Sequence, residues 1–76
     1  MKIEILGTGC PKCEALMNNV AAAVRELGIE AEISKVTDIV EIANRGVMMT
    51  PALSIDGEIK VVGKLATVSE LKALLG

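Results

Sequence analysis

The sequence has no phenylalanine, tyrosine, tryptophan or histidine among its 76 residues. Without aromatic side chains there are no platforms on which bases could stack, so single-strand nucleic-acid binding is disfavoured. The formal net charge of −2 also argues against a phosphate-binding surface, which needs clustered lysine and arginine. Hydrophobic residues still make up 51% of the chain. The core must therefore be aliphatic, and the short length predicts one domain over residues 1–76.

Long hydrophobic runs are missing as well. No apolar run approaches the roughly 7–15 residues of a signal-peptide core or the about 18 residues of a membrane span. We therefore expect a cytoplasmic protein that does not associate with membranes. Structural disulfides are rare in a reducing cytosol, so a close cysteine pair there is expected to be catalytic or metal-binding.

The two cysteines of the chain lie three positions apart, in Cys10-Pro11-Lys12-Cys13. They follow a short apolar strand, and Pro11 suits the first position of a helix, so the pair is predicted at a helix N-terminus. The unpaired N–H groups and partial positive charge there stabilise a thiolate, the nucleophile of disulfide exchange. Pro11 and Lys12 are predicted to tune the thiols further. The pattern favours redox chemistry in which Cys10 attacks and Cys13, one turn further into the helix, resolves.

Other uses of this cysteine pair differ in how well the sequence supports them. A structural disulfide would add only about 2 kcal/mol by chain entropy, because its loop is so short. A zinc site usually takes four Cys or His ligands, more than this chain supplies. A two-coordinate Cu(I) site stays open, since two thiolates suit that ion. Soft-metal binding, as in a metallochaperone, is therefore the alternative to redox chemistry.

The spacing of apolar residues, together with the glycines and capping residues between them, predicts the secondary structure. A helical stripe of apolar residues runs from Pro11 until Gly28 stops it, and the next strand alternates as a half-exposed edge strand would. Thr37 or Asp38 can cap a second helix that ends at Gly46. These elements, in order, are a strand over 2–6, a helix over 11–27, a strand over 29–34 and a helix between 37 and 45.

The second half of the chain carries the clearest hairpin signal. Asp56-Gly57 suits a type I′ turn between strands over 52–55 and 58–62. Thr67-Val68-Ser69-Glu70 then forms a capping box for the last helix. The predicted order is βαβαββα, with the first three strands mostly parallel, the hairpin adding an antiparallel edge, and helices covering both faces.

This order, with Gly9-Cys10-Pro11-Lys12-Cys13 where the first strand ends and Thr50-Pro51 before the third strand, resembles the thioredoxin superfamily. More closely, nearly the whole chain resembles the small, glutaredoxin-sized thioredoxins of the redox-active disulfide type. The resemblance implies a thioredoxin-like α/β fold, βαβαββα, with a four-stranded mixed sheet flanked by three helices. It also implies a dithiol–disulfide oxidoreductase that uses no cofactor beyond the redox-active disulfide Cys10–Cys13.

The resemblance also assigns roles outside the cysteine motif. In that family the proline before the hairpin is cis and lies against the cysteine pair, which implies that Pro51 does so and that the Thr50 backbone binds an extended substrate segment. Gly63 resembles the glycine that lets substrate backbone approach, although it can also be read as a strand terminator. Met48 and Met49 can form an apolar docking rim, but buried methionines are commoner, so we expect at least one of them in the core.

The resemblance implies two kinds of partner: disulfide-containing proteins as substrates, and a thioredoxin reductase-like enzyme or small thiol that recharges the dithiol. The chain is expected to be a monomer. The sequence departs from larger relatives: no tryptophan precedes Cys10, and Cys-Pro-Lys-Cys is neither the usual thioredoxin Cys-Gly-Pro-Cys nor the common glutaredoxin Cys-Pro-Tyr-Cys. Glutathione is not expected as the principal partner. The similar cysteine motif of small copper chaperones occurs in a βαββαβ order of elements, with the hairpin before the second helix. The order found here therefore favours redox chemistry over metal transport.

Overall fold

A computed structural model of the chain describes residues 1–8 and 11–76. Its described residues form the predicted βαβαββα order, which confirms a thioredoxin-like α/β fold with a four-stranded mixed sheet and three helices. The elements are β1 (Lys2–Leu6), α1 (Pro11–Leu27), β2 (Glu32–Val36), α2 (Ile39–Asn44), β3 (Ala52–Ile55), β4 (Glu58–Val62) and α3 (Val68–Leu75).

The sheet has the strand order β2-β1-β3-β4, and its directions correct one prediction. β1 and β2 are parallel, but β3 runs antiparallel to β1, with Leu6 opposite Ala52 and Ile3 opposite Ile55. A parallel β3 would need a crossover that returns the chain along the whole strand length, about 16 Å for five residues. The six residues of α2 span only about 9 Å. The chain therefore stays at one end of the sheet and begins β3 there.

Strand β2 begins three residues later than the alternation predicts. Glu32 pairs with Lys2, the first residue of β1, and its N–H donates to the Met1 carbonyl over 2.8 Å. Residues before Glu32 have no partner on β1, so Ile29 and Ala31 pack against the core without joining the ladder. The predicted edge position of this strand is confirmed.

The predicted turn and caps are present. Asp56 and Gly57 have φ values of 51° and 85°, as a type I′ turn requires. Asp38 caps α2 by accepting a hydrogen bond from the backbone N–H of Val40 over 2.9 Å. Thr67 and Glu70 form the reciprocal capping box of α3. These local signals hold because each depends on residues at most three positions apart.

The two faces of the sheet are covered unequally. One face packs against α1 and α3 through a large aliphatic cluster that contains Ile3, Ile5, Leu16, Val20, Ala23, Leu53, Ile55, Val61, Ala66, Leu71 and Leu75. The opposite face packs against α2 through a smaller cluster of Leu6, Ile42, Val47 and Ala52. Ile42 is the buried residue of α2, whereas Ile39 and Val40 are 69% and 63% exposed.

A partly buried ion pair joins the end of α2 to the centre of the sheet. Glu4 of β1 is 8% exposed, and its carboxylate accepts hydrogen bonds from both terminal nitrogens of Arg45 over 2.8 and 3.0 Å. Arg45 follows α2 directly and also bonds Glu41 over 3.2 Å. The hydrogen bonds from Arg45 lower the pKa of Glu4 even though burial acts in the opposite direction. The same bonds raise the pKa of Arg45.

We predict that Glu4 makes folding stability pH-dependent. Because its pKa is lowered on folding, its stabilising effect is present above the unfolded value of about 4.3 and is lost as the pH falls through the folded value. Glu4→Gln should therefore lower the melting temperature at neutral pH by about 5 °C or more and flatten the acid limb of the stability curve. Thermal unfolding followed by circular dichroism from neutral to acid pH measures both effects.

Glu58→Gln is the matched control, since Glu58 and Lys60 of β4 are exposed and pair over 3.2 Å. Exposed pairs contribute little, so this variant should unfold as the parent does. If the Glu4 variant retained the parent's acid limb, the lowered pKa of Glu4 would not be the source of acid sensitivity.

Candidate active site

The candidate active site lies at the end of the sheet where β1 stops and β3 begins. Gly7 and Thr8 follow β1, and α1 starts at Pro11, so the chain passes from strand to helix within a few residues. The backbone N–H of Gly7 donates to the Val36 carbonyl over 2.9 Å, which ties this turn to the end of β2. Cys10, the predicted attacking cysteine, and Gly9 lie outside the described residues.

Cys13 lies in the first turn of α1 and is part of the protein interior, at 6% exposure. Its sulfur packs directly over the α-carbon of Gly7. A β-carbon on Gly7 would overlap the Cys13 Sγ and would lie 3.3 Å from its Cβ. Glycine at position 7 is therefore required by the space that the sulfur occupies. The first turn of a helix also carries the partial positive charge that favours a thiolate.

Thr50 and Pro51, the two residues before β3, lie at the same end of the sheet. The Thr50–Pro51 peptide bond is cis, as the resemblance implies, and Pro51 is buried. The Cβ of Thr50 would lie 3.9 Å from a β-carbon on Gly7, whose other close neighbour is Cys13. Two predicted site residues, Cys13 and Thr50, therefore meet across Gly7. This convergence follows from the antiparallel pairing that places Ala52 opposite Leu6.

Gly63 is joined to this region through the backbone. It follows β4 with a φ of 64°, and its N–H donates to the Pro51 carbonyl over 2.9 Å. The side chain of Met49 covers it: a β-carbon on Gly63 would lie 2.9 Å from Met49 Cβ and 3.2 Å from Met49 Cε. The glycine thus ends the strand and also permits a close approach. Its neighbour in the structure is Met49, and its role in binding substrate stays a prediction.

The expectation that Met48 or Met49 is in the core is wrong. The two side chains are 91% and 63% exposed. Val47, at 5% exposure, is the residue of this segment that packs in the cluster with Ile42. The interpretation of these methionines as an apolar rim fits the structure better.

The rim extends further than the sequence indicated. We use the name docking rim for the exposed residues Ile39, Val40, Met48 and Met49. A cavity of about 170 Å³ is lined by two of them, Ile39 and Met48, and also by Thr8 and Thr50 beside the candidate active site. Helical spacing alone cannot show that Ile39 and Val40 are exposed, because it does not say how much sheet a six-residue helix covers. A larger cavity of about 470 Å³ between β4 and α3 contains none of the predicted site residues.

Pro11 and Lys12 are exposed on the first turn of α1, before Cys13. Their predicted effect on the thiols stays a prediction. Among residues 1–8 and 11–76, there is no cluster of three or more His, Cys, Asp or Glu side chains that could hold a metal ion. Within the same residues, every helix is too short or too polar to cross a membrane.

We predict that Gly7→Ala displaces the Cys13 side chain. The added methyl group overlaps the sulfur, and overpacking of this kind costs about 1–3 kcal/mol. The displaced thiol should become more exposed, so Cys13 should be alkylated faster by iodoacetamide. Peptide mass spectrometry resolves alkylation at Cys13 from alkylation at Cys10, and chemical denaturation measures the stability.

Gly46→Ala separates backbone strain from this steric effect. Gly46 has a φ of 77°, but a β-carbon there would meet no atom within 4 Å. The variant should lose about 1 kcal/mol through its backbone alone, with Cys13 alkylated at the parent rate. Equal alkylation rates in both glycine variants would contradict the proposed contact.

Comparison with known proteins agrees with this geometry. The family model described as Thioredoxin domain matches residues 1–76. A protein named Thioredoxin from Methanothermobacter thermautotrophicus is 44% identical over 75 residues, which cover 99% of this chain and 97% of that protein. A second Thioredoxin, from Methanocaldococcus jannaschii, is 53% identical over 70 residues, covering 92% of this chain and 80% of that protein.

These matches extend over nearly all of the chain, including its strand-to-helix turn and the hairpin. Neither relative's name supports the Cu(I) alternative. The chain therefore belongs to the thioredoxin family of dithiol–disulfide oxidoreductases.

Proposed function

We propose that this protein reduces disulfide bonds in other proteins through Cys10 and Cys13, with Cys10 attacking and Cys13 resolving. The observation that carries the proposal is the position of Cys13, buried in the first turn of α1, over Gly7 and close to the cis Thr50–Pro51 bond. A buried thiol suits the resolving role, because its partner sulfur can be brought to it within one chain. A buried thiol is poorly placed to attack a disulfide of another protein.

The sequence position of Cys10 supports its role as the nucleophile. In the sequence it directly precedes Pro11, the first residue of α1. The N–H groups at a helix start have no partners within the helix and can stabilise a thiolate. Exposed Lys12 adds positive charge nearby, and Pro11 has no N–H to place in the first turn. We assign both residues to tuning of the thiols.

The reaction proceeds in two exchanges. The Cys10 thiolate attacks one sulfur of the substrate disulfide, which forms a mixed disulfide and releases the other substrate sulfur as a thiolate. Cys13 loses its proton and attacks the Cys10 sulfur, which forms the Cys10–Cys13 disulfide and releases the second substrate sulfur. The substrate gains two electrons and two protons. The dithiol loses them and requires a reductant.

We assign substrate binding to Thr50, Pro51 and Gly63, with the docking rim beside them. A disulfide must come within bonding distance of a cysteine sulfur, so its flanking residues have to contact whatever surrounds the cysteine turn. Thr50 borders Gly7, and Met49 covers Gly63, so an extended segment crossing this surface would meet the methionine side chain. Methionine is flexible and adapts to partners of different shape.

The remaining assignments follow from the chemistry of the pair. We propose no resident cofactor beyond the Cys10–Cys13 disulfide, and recharging by a thioredoxin reductase-like enzyme or a small thiol. Such a cycle requires a reducing compartment, which favours the cytoplasm. We also propose that residues 1–76 act as one monomeric domain, with no part in nucleic-acid or membrane binding.

The two cysteines should be separable by substitution. Cys13→Ser should accumulate a mixed disulfide between Cys10 and a protein substrate, because the thiol that releases it is gone. Cys10→Ser should accumulate little or none, since buried Cys13 attacks poorly. Mass spectrometry of each variant after incubation with a disulfide-bonded protein, such as insulin, measures the adduct directly.

Insulin reduction driven by dithiothreitol is the companion assay, in which the parent should be active and both variants inactive. An adduct formed by Cys13 alone would reverse the assigned roles. Failure of the parent to reduce insulin with dithiothreitol or with any candidate reductase would overturn protein disulfide reduction itself.

A further inference from the structure

Two consecutive methionines, Met48 and Met49, lie directly before Thr50 and Pro51 in the chain. Both side chains are exposed, that of Met48 more than that of Met49. Hydroperoxides oxidise an accessible methionine to its sulfoxide, which converts a flexible apolar side chain into a polar one. The border of the candidate active site therefore carries oxidisable side chains other than the cysteines.

Met49 differs from its neighbour in what it contacts. A β-carbon on Gly63 would lie 2.9 Å from Met49 Cβ, 3.2 Å from its Cε and 3.4 Å from its Sδ, and these are its three nearest atoms. The thioether thus lies directly over Gly63. The N–H of Gly63 donates to the Pro51 carbonyl over 2.9 Å. The sulfur of Met49 therefore covers the point where the end of β4 is joined to the segment before β3.

The other two methionines of the chain provide comparisons. Met1 is exposed but precedes β1, at the opposite end of the sheet from the candidate active site. Met17 belongs to α1 and packs against the large aliphatic cluster. Oxidation at Met1 thus reports exposure far from the site, and oxidation at Met17 reports how well packing protects a thioether.

Oxidation of Met49 would change the polarity of this surface and leave its backbone in place. Hydrogen peroxide transfers one oxygen atom to the Sδ, which loses two electrons as the S–O bond forms and the O–O bond breaks. The second oxygen takes the proton of the first and leaves as water. The sulfoxide is hydrogen-bonded by water, so covering it with an apolar side chain of another protein is unfavourable.

We propose that Met49 is an oxidative modification site, at which conversion to methionine sulfoxide weakens the docking of protein substrates. The inference rests on the proposed function, in which Gly63 and the docking rim bind substrate. It adds regulation to that function, because the protein loses affinity for its substrates while both cysteines are unchanged. Met48 has the same chemistry and greater exposure, but the side-chain atoms nearest to Gly63 belong to Met49.

The test treats the full chain with hydrogen peroxide in its Cys10–Cys13 disulfide form, so that no thiolate is available for overoxidation. Catalase then removes the peroxide, and peptide mass spectrometry measures the sulfoxide at each methionine. Met48 and Met49 should be oxidised fastest and Met17 slowest, since access of the peroxide to the sulfur limits the reaction.

Dithiothreitol then restores the dithiol and drives insulin reduction. Oxidation should raise the KM for insulin about fivefold and leave kcat nearly unchanged, because the weakened contact acts on binding throughout the reaction. Ellman's reagent is a small disulfide that reaches a cysteine without covering the rim. Added to the reduced protein after dithiothreitol is removed, it should react at the same rate before and after peroxide treatment.

Leucine variants assign the effect to one methionine. Each variant is compared with itself before and after peroxide, so a change in its basal KM does not enter the comparison. Met49→Leu retains a similar volume but has no sulfur, and its KM should not respond to peroxide even though Met1 and Met48 are oxidised. Met48→Leu is the matched control and should respond as the parent does.

Reversal identifies the sulfoxide as the cause. Methionine sulfoxide reductases A and B each reduce one epimer of the sulfoxide to the thioether, with electrons from a dithiol. Treatment of the oxidised parent with both enzymes and dithiothreitol should return its KM for insulin to the starting value.

The proposal would be overturned by an unchanged KM in protein whose Met49 is oxidised, or by a rise in KM that Met49→Leu retains or Met48→Leu abolishes. Equal losses with insulin and with Ellman's reagent would also overturn it, since they would place the damage at the cysteines. Failure of the proposed function has a different result, because the parent would then not reduce insulin even before peroxide treatment.

Discussion

Burial of β1 on both faces is the constraint on which the rest of this small structure depends. Ile3 and Ile5 pack toward α1 and α3, while Leu6 packs toward α2, so one five-residue strand carries the contacts of all three helices. An aliphatic core without aromatic side chains gains its stability from close packing of many small contacts. The end of β1 is therefore fixed in position, and Gly7, its next residue, gives Cys13 a rigid surface.

The two faces of the sheet are covered unequally, and they differ in what they contribute to stability and to recognition. The α1 and α3 face buries most of the core, whereas α2 covers only the end of the opposite face and is tied down by the Glu4–Arg45 pair. The short helix leaves the docking rim exposed there. Exposed apolar surface is costly unless a partner uses it, which agrees with binding of protein substrates.

Much of the fold could be predicted from the sequence because its signals are local. The Asp56-Gly57 turn, the Thr67 capping box and the span of α1 each depend on a few neighbouring residues, and each is confirmed. The direction of β3 and the start of β2 could not be predicted, since strand pairing decides them between distant parts of the chain. The same limit applies to the site: the motif indicated the chemistry, whereas the position of Thr50 beside Gly7 and Cys13 depends on the pairing of β1 with β3.

Three residues of the candidate active site belong to the core, whereas the docking rim is exposed. Gly7, Cys13 and Pro51 are all buried, so a change at any of them alters packing as well as chemistry. Met48 and Ile39 make few such contacts, because most of their surface faces solvent. Substitutions in the rim should therefore cost little stability, typically within about 0.5 kcal/mol for exposed positions. Under the proposed function, substitutions in the rim would change substrate preference and leave the packed residues around Cys13 in place.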